Sequence, residues 1–362
     1  MKITQVLYSG LGGHGSVAFS IMNGDTQKIT RHSFLFYGIE PVREEYVHKC
    51  RENNFAFDAI NTSLQGTLSS WFKAFKAIRK QKPDVVILHS ATLFGIVPLL
   101  RLFGIKVIAV DHTSNSAKRK NEWIALNILR IVANHLVFLT TSHVQELLKL
   151  KGGQYLNPKK YSIINNGIDI EKFRPTHKPP TPPFHFFMLA RFGLTQDFNT
   201  LIRAGKILKD QLGTDTFKIW LAGDGINFPV SYQLAESLSV LDVVSFKGLL
   251  DENGILETFN VTHAYVHSTI SEAMSTSIMQ AMACELPVIA SDIPGNRNLI
   301  TNGENGIFFE AGNEKDLASQ LSAYMEGKFD TLSIAQNARK FAEEKLSMET
   351  MFRKYYEIIK NI

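Results

Sequence analysis

The chain has 362 residues, of which 44% are hydrophobic, 20% charged and 10% aromatic. That length allows two domains with their own cores, and the composition excludes a disordered, collagenous or disulfide-stapled chain. Its two cysteines, Cys50 and Cys284, lie far apart, which fits a reducing compartment better than a secreted disulfide framework. The net charge of +5 divides unevenly. Residues 1–175 hold 23 Lys+Arg against 12 Asp+Glu, or +11, and residues 176–362 hold 16 against 22, or −6. A basic half calls for a polyanionic partner, and an anionic membrane surface fits. Nucleic acid is not expected, because zinc-ligand spacing, an RNP-like motif and a sustained basic run are all missing from the chain.

Short apolar runs alternate with helix-length stretches. The first ten residues carry one basic residue and a short apolar run ending in glycine, which reads as a first strand and not as a signal peptide. Strands are predicted at 3–8, 32–36, 85–89, 106–110, 136–140 and 161–164, several of them apolar on both faces as buried parallel strands require. Residues 91–110 have the length of a membrane span, but Gly95, Pro98, Arg101, Gly104 and Lys106 make a short helix and a buried strand the better reading. Residues 174–183 hold five prolines and read as a stiff connector. A second series of strands follows at 184–189, 218–222, 243–246, 264–267, 287–290 and 306–308. Two β/α series predict two doubly wound domains, with a ligand cleft where they face each other. Residues 335–359 read as one or two amphipathic helices.

Two motifs carry chemistry. The first, Gly10-Leu11-Gly12-Gly13-His14-Gly15, follows the first strand with G-x-G-x-x-G spacing and lets backbone approach a phosphate. A nicotinamide site would want an acid at the end of the second strand. The stretch from Ile29 holds none, and Arg31 leaves a 2′-phosphate, and so an NADP-dependent oxidoreductase, as an alternative. The second motif runs from His267 through Glu272, Ser275-Thr276-Ser277 and Gln280 to Ser291. The small polar cluster caps a helix whose free N–H groups and positive dipole end suit an anion. Glu272 is placed to accept hydrogen bonds from hydroxyl groups.

This second segment resembles the signature of retaining, nucleotide-sugar-dependent glycosyltransferases of the GT-B fold, glycosyltransferase family 4. Other stretches agree with that family. They are Asn165-Asn166-Gly167-Ile168-Asp169, Leu189-Ala190-Arg191-Phe192, Leu221-Ala222-Gly223-Asp224-Gly225, Gly295-Asn296-Arg297, residues 303–306, the glycine pair Gly12-Gly13 and a strand-end His112. The resemblance implies an α/β GT-B fold with two Rossmann-like domains facing a cleft. Residues 1–170 would bind the acceptor, with a C-terminal helix at about 345–362 packing back on them, and residues 171–344 would bind the nucleotide sugar. Arg191 would bind the donor diphosphate through its guanidinium fork, and the amides of Gly13, Ser275 and Thr276 its distal phosphate, with Gly12 and Met274 also among the donor-binding residues. Glu272 and His112 would contact the transferred sugar and Gln280 the ribose. Gly223, Asp224, Gly248, Leu249 and Leu250 would flank the base, and Asn166 belongs to the interdomain segment.

Three positions depart from the family pattern. Gln280 replaces the second glutamate, Gln196 replaces the diphosphate lysine, and Ala273 replaces a glycine. A neutral amide bonds a diol more weakly than a carboxylate, so Gln280 reads equally as a ligand contact or a plain helix residue. With Gln196 neutral, leaving-group charge rests on Arg191, helix N-termini and a nearby lysine. The chain has no Asp-x-Asp, so metal chelation of the diphosphate is not expected, and the resemblance implies no cofactor besides the nucleotide-sugar substrate. The expected activity is metal-independent hexosyl transfer from a nucleotide sugar, UDP-linked, to a glycan or lipid-linked acceptor in surface polysaccharide or lipopolysaccharide assembly. A non-catalytic sugar-nucleotide-binding partner is the alternative. Trp71, Phe72, Phe75 and Ile78 among Lys73, Lys76, Arg79, Lys80 and Lys82, with Lys118-Arg119-Lys120 before Trp123, fit a cytoplasmic protein lying peripherally on anionic lipid at the inner face of the plasma membrane.

Overall fold

The computed structural model describes residues 1–10, 13–62, 67–150, 156–175 and 183–362. The chain divides into two compact units, residues 1–167 with 347–362, and residues 168–346. The division falls at Gly167, ahead of the proline-rich stretch, most of which (176–182) lies outside the described residues.

The first unit is a seven-stranded parallel sheet built from β1 (Lys2–Tyr8), β2 (Arg31–Gly38), β3 (Ala56–Asn61), β4 (Val85–Leu88), β5 (Lys106–Asp111), β6 (His135–Phe138) and β7 (Tyr161–Ile163), in the order β3-β2-β1-β4-β5-β6-β7. Alternate residues of β2 serve opposite faces, as the two-residue period of a strand demands. Phe34 and Phe36 join Leu7, Phe19 and Tyr46 on one side, while Leu35 and Tyr37 join Val6, Ile78 and Leu88 on the other. Strands β4 and β6 are buried at every position. The sequence reading omits β3. It is an edge strand with no fully buried residue, and Asp58 and Asn61 interrupt its apolar run. Its register with β2, from Ser33 opposite Ala56 to Gly38 opposite Asn61, is what makes it a strand.

The C-terminal helix Met348–Asn361 belongs to this unit. Ser347 caps it, accepting from the Thr350 amide at 3.2 Å. Met351, Phe352, Tyr355, Ile358 and Ile359 form one buried stripe with helical spacing, packed against the helix Gly13–Asn23.

The second unit is a six-stranded parallel sheet of β8 (Phe184–Leu189), β9 (Phe217–Ala222), β10 (Val244–Gly248), β11 (Ala264–His267), β12 (Val288–Ser291) and β13 (Ile307–Phe309), in the order β10-β9-β8-β11-β12-β13. Its core gathers Phe186, Met188, Leu201, Ile219, Leu221, Val266 and Ile289. Residues 91–110 form a 3-10 turn (Ala91–Ile96), the helix Val97–Leu102 and β5. Among the described residues no helix is long and apolar enough to cross a membrane.

Candidate active site

In an open parallel sheet, ligands bind beyond the strand ends where the strand order reverses. In the second unit that point lies between β8 and β11. Arg191 stands two residues past the end of β8, and Glu272 five past the end of β11. Their loops are stitched together. Thr195 O accepts from the Ile270 amide at 2.9 Å and from Thr269 Oγ1 at 2.8 Å, and the Asp197 amide donates to Ser268 O at 2.9 Å. On the other flank the Phe192 amide donates to Asp224 O at 3.0 Å, and the Gly223 amide donates to Gly248 O at 2.8 Å. Gly223 has φ +133°, and a Cβ there would lie 1.9 Å from Ala190 O, so no other residue fits. Phe192, stacked on Phe198 with centroids 3.7 Å apart, anchors the loop in the core. Arg191 is therefore an exposed side chain on a fixed backbone.

Ser275 caps the helix Thr276–Ala283, its Oγ accepting from the Ile278 amide at 3.3 Å. A polar chain runs from this cap to the acid. Ser275 Oγ lies 3.1 Å from Ser277 Oγ, and Tyr265 Oη donates to Ser277 Oγ at 2.8 Å. Tyr265 Oη lies 3.1 Å from His267 Nδ1, and His267 Nε2 lies 3.4 Å from Glu272 Oε2. Burial pushes the Tyr265 phenol far above its ordinary range, so it stays a neutral hydroxyl. The loop carrying Glu272 is pressed against Gly295, where a Cβ would come within 1.9 Å of Glu272 O. A guanidinium and a helix N-terminus offer an anion two partners of matching sign, and Glu272 offers hydroxyl groups an acceptor.

In the first unit the order reverses between β1 and β4, with β5 alongside. His112, half-buried, directly follows β5. Its Nε2 lies 2.9 Å from Nδ1 of buried His89, whose Nε2 lies 2.9 Å from Gln5 Oε1. Both histidines line a cavity of about 190 Å³ together with Tyr8, Ser90, Asp111 and Lys118. Burial alone would raise the Asp111 carboxyl, but the hydrogen bond from His143 and the charge of Lys118 outweigh it and hold the group below the usual aspartate range.

Of the other predicted residues, Gly12 lies outside the described residues and Gly13 opens the helix Gly13–Asn23. Gly248 ends β10 with φ +68°, Leu249 beyond it is exposed and Leu250 half-buried. Asp224 is exposed, with Oδ1 accepting from the Gly225 amide at 2.7 Å. Met274 is buried, while Thr276 and Gln280 are half-buried. Gln196 sits in a one-residue β-bridge to Thr269. Asn166 is buried in the segment after β7, where the neighbouring Gly167 amide donates to Met351 Sδ at 3.1 Å.

Three sequence expectations are corrected. Arg31 opens β2, so it stands at the opposite end of the strand from the glycine loop and cannot serve a nucleotide there. The Lys118 side chain is 2% exposed and paired with Asp111 at 3.0 Å, so it is no surface cation. Ile78 is core, and Trp71 and Phe75 are half-buried, which leaves Phe72 as the outward aromatic of that stripe. Sequence reasoning gave no role to His89, Tyr265 or His267. The signal was a shared ending of the fourth strand in each sheet, Ile87-Leu88-His89-Ser90 and Tyr265-Val266-His267-Ser268.

Residues 12–172 match the model of Glycosyltransferase Family 4, and residues 169–341 that of Glycosyl transferases group 1. The chain is 26% identical over 273 residues to the UDP-Gal:alpha-D-GlcNAc-diphosphoundecaprenol alpha-1,3-galactosyltransferase of Escherichia coli, covering 69% of this chain and 68% of that one. Its fold matches the Anabaena protein HepE in complex with UDP and glucose at a TM-score of 0.83, with 16% identity and all of both chains covered. It matches the lipopolysaccharide outer core galactosyltransferase WaaB at 0.69, with 16% identity over 100% of this chain and 99% of that one. These likenesses give the architecture as GT-B, in agreement with the two parallel α/β units. From the two adjoining family matches, which together run from residue 12 to residue 341, the chain belongs to glycosyltransferase family 4, the glycosyl transferases group 1.

Proposed function

We propose that this glycosyltransferase moves a hexosyl group, with retention of configuration, from a UDP-sugar to a glycan or lipid-linked glycan in surface polysaccharide assembly. One observation carries the reading. Arg191 and the capped helix start at Ser275 flank the strand-order reversal of the second unit, the place where such a sheet takes a diphosphate. The relatives support the donor and acceptor classes, since HepE binds UDP and UDP-glucose and the Escherichia coli relative is named for UDP-Gal and a diphosphoundecaprenol acceptor.

The chemistry asked of these residues is stabilisation of a departing diphosphate. Arg191 takes phosphate oxygens through its planar fork, and the first-turn amides after Ser275 take others. Glu272, next to His267, accepts from sugar hydroxyls, and the reading gives His112 a contact with the transferred sugar. Gln280 meets the ribose. With no Asp-x-Asp in the chain, the charge falls to these groups, and we propose that neither a metal nor a cofactor takes part. Turnover is then expected to survive EDTA.

The first unit supports a membrane role. From residue 67 to residue 110 there are seven Lys or Arg and one acid, Asp84. On this stretch Leu68, Phe72, Leu99, Leu102 and Phe103 are exposed, and the Arg79 guanidinium lies 3.9 Å over the Phe103 ring. Basic groups around exposed apolar side chains suit anionic headgroups.

The test is a panel of nucleotide sugars scored for protection against thermal unfolding. UDP and at least one UDP-sugar are expected to raise Tm, and Arg191→Ala is expected to abolish the rise without lowering Tm itself. Tight UDP binding with no transfer or hydrolysis of any sugar would favour the non-catalytic partner, for which the neutral Gln196 and Gln280 speak. A soaked crystal with UDP bound elsewhere would overturn the reading altogether.

A further inference from the structure

We propose that the cavity beside His112 is a hydrocarbon subsite, which takes a run of about six to eight carbons from the chain of a lipid-linked acceptor. The inference rests on the lipid-linked reading of that acceptor. The cavity measures about 190 Å³ and lies within the first unit, and an apolar cavity of roughly 150 Å³ already takes benzene. Its aliphatic wall is Ala91, Ala109, Val110, Leu126, Leu129 and Leu136. Ala109 and Val110 come from β5, Leu136 from β6, and Leu126 and Leu129 from the helix Lys120–Val132, so the space lies between sheet and helix. Ala91, Thr92, His112 and Thr113 are half-buried while Val110, Leu126, Leu129 and Leu136 are buried, which puts the rim beyond the strand ends, beside His112, and the aliphatic wall at the closed end.

The polar side chains around the same space are engaged within the protein. Lys118 lies 3.0 Å from Asp111, Ser90 Oγ lies 2.7 Å from Thr92 Oγ1, and Thr113 Oγ1 donates to Glu122 at 2.9 Å. Tyr8 Oη donates to Glu40 at 2.8 Å, and His89 lies 2.9 Å from both Gln5 Oε1 and His112 Nε2. A polar ligand would compete with these bonds for its partners, whereas a hydrocarbon asks only for aliphatic surface. The elements over the cavity are apolar on their outer side as well. Leu99, Leu102, Phe103, Ile124 and Ile131 are between 45% and 79% exposed, and Arg101 ties their two segments together by donating to Val132 O at 2.9 Å. A helix apolar on both sides needs an apolar neighbour on each, and here the cavity lies under the face proposed for anionic lipid.

Titration calorimetry of the full-length protein with 1-alkanols, from butanol to decanol, reads the cavity directly. Affinity is expected to tighten about fourfold per methylene as far as octanol and to level off beyond it, where the cavity is full. Leu129→Trp, which fills the space, is expected to abolish binding while UDP-induced thermal protection is retained. Ala91→Phe closes the rim instead, so it decides the matter should Leu129→Trp fail to fold. n-Octyl glucoside is expected to displace octanol, with its sugar at the rim beside His112, and a glucoside that does not compete would overturn the acceptor role. Co-sedimentation of the filled variant with anionic vesicles is expected to match wild type. Its loss would assign the chain to a bilayer lipid and overturn the acceptor role as well. No alkanol binding, an affinity indifferent to chain length, or binding that survives both variants would overturn the subsite itself. The titrations need neither donor nor turnover, so they stand or fall separately from the transferase reading.

Discussion

Asp111, Lys118 and His143 show what a single residue decides. The Lys118 side chain is 2% exposed, and its ammonium has Asp111 at 3.0 Å, Asn115 Oδ1 at 3.1 Å and the Thr113 carbonyl around it. Removing one member of such a pair leaves the other charged and buried, at a cost of about 3–5 kcal/mol. Asp111→Asn is expected to lower the urea midpoint at pH 7 accordingly. The pH dependence has a definite sign. The folded-state carboxyl sits below its ordinary range, so its contribution is complete above about pH 4 and is lost as pH falls through the lower folded value. Unfolding curves of the variant should therefore flatten on the acid side, and an unchanged acid slope would exclude the pair as its source. Lys118 reads in the sequence as one of three consecutive basic residues. Its partners lie 7 positions upstream, at Asp111, and 25 downstream, at His143, a separation that no local pattern reveals.

At the scale of elements, the helix opened by Ser275 was legible because capping is local. A small polar residue, a first turn and an apolar face follow one another in the chain. Ser275→Ala is expected to cost ~1 kcal/mol as a lost cap. It should also weaken UDP binding, since the first turn frays where the proposed phosphate sits. Equal UDP affinity in titration calorimetry would detach the helix start from the donor. Strand β3 was illegible for the opposite reason. Its identity comes from pairing with β2 along one edge, and its half-exposed side chains leave little apolar periodicity. The aromatic stripe of the helix Leu68–Gln81 shows a related limit. Helical spacing groups Trp71, Phe75 and Ile78 with Phe72, yet Trp71 Nε1 donates inward to Thr92 O at 2.9 Å while Phe72 stays outside.

For the whole molecule, the charge asymmetry bears on the membrane role proposed for the first unit. Phe72 and Leu102 are 55% and 79% exposed within its basic stretch. The full-length protein is expected to co-sediment with vesicles containing anionic lipid and to release as salt rises. Phe72→Ser with Leu102→Ser is expected to reduce that binding while leaving UDP-induced thermal protection intact. Equal binding to neutral vesicles would end the membrane reading.

Two parallel α/β series, the helix cap at Ser275 and the family motifs were all readable from residue order, because hydrophobic period, capping and glycine placement act over a few residues. The pairing of His89 with His112, the chain from Ser277 through Tyr265 and His267 to Glu272, and the burial of Lys118 were not. Each depends on which strands lie side by side, and strand order is a property of the folded sheet, where groups tens of residues apart come within hydrogen-bonding distance.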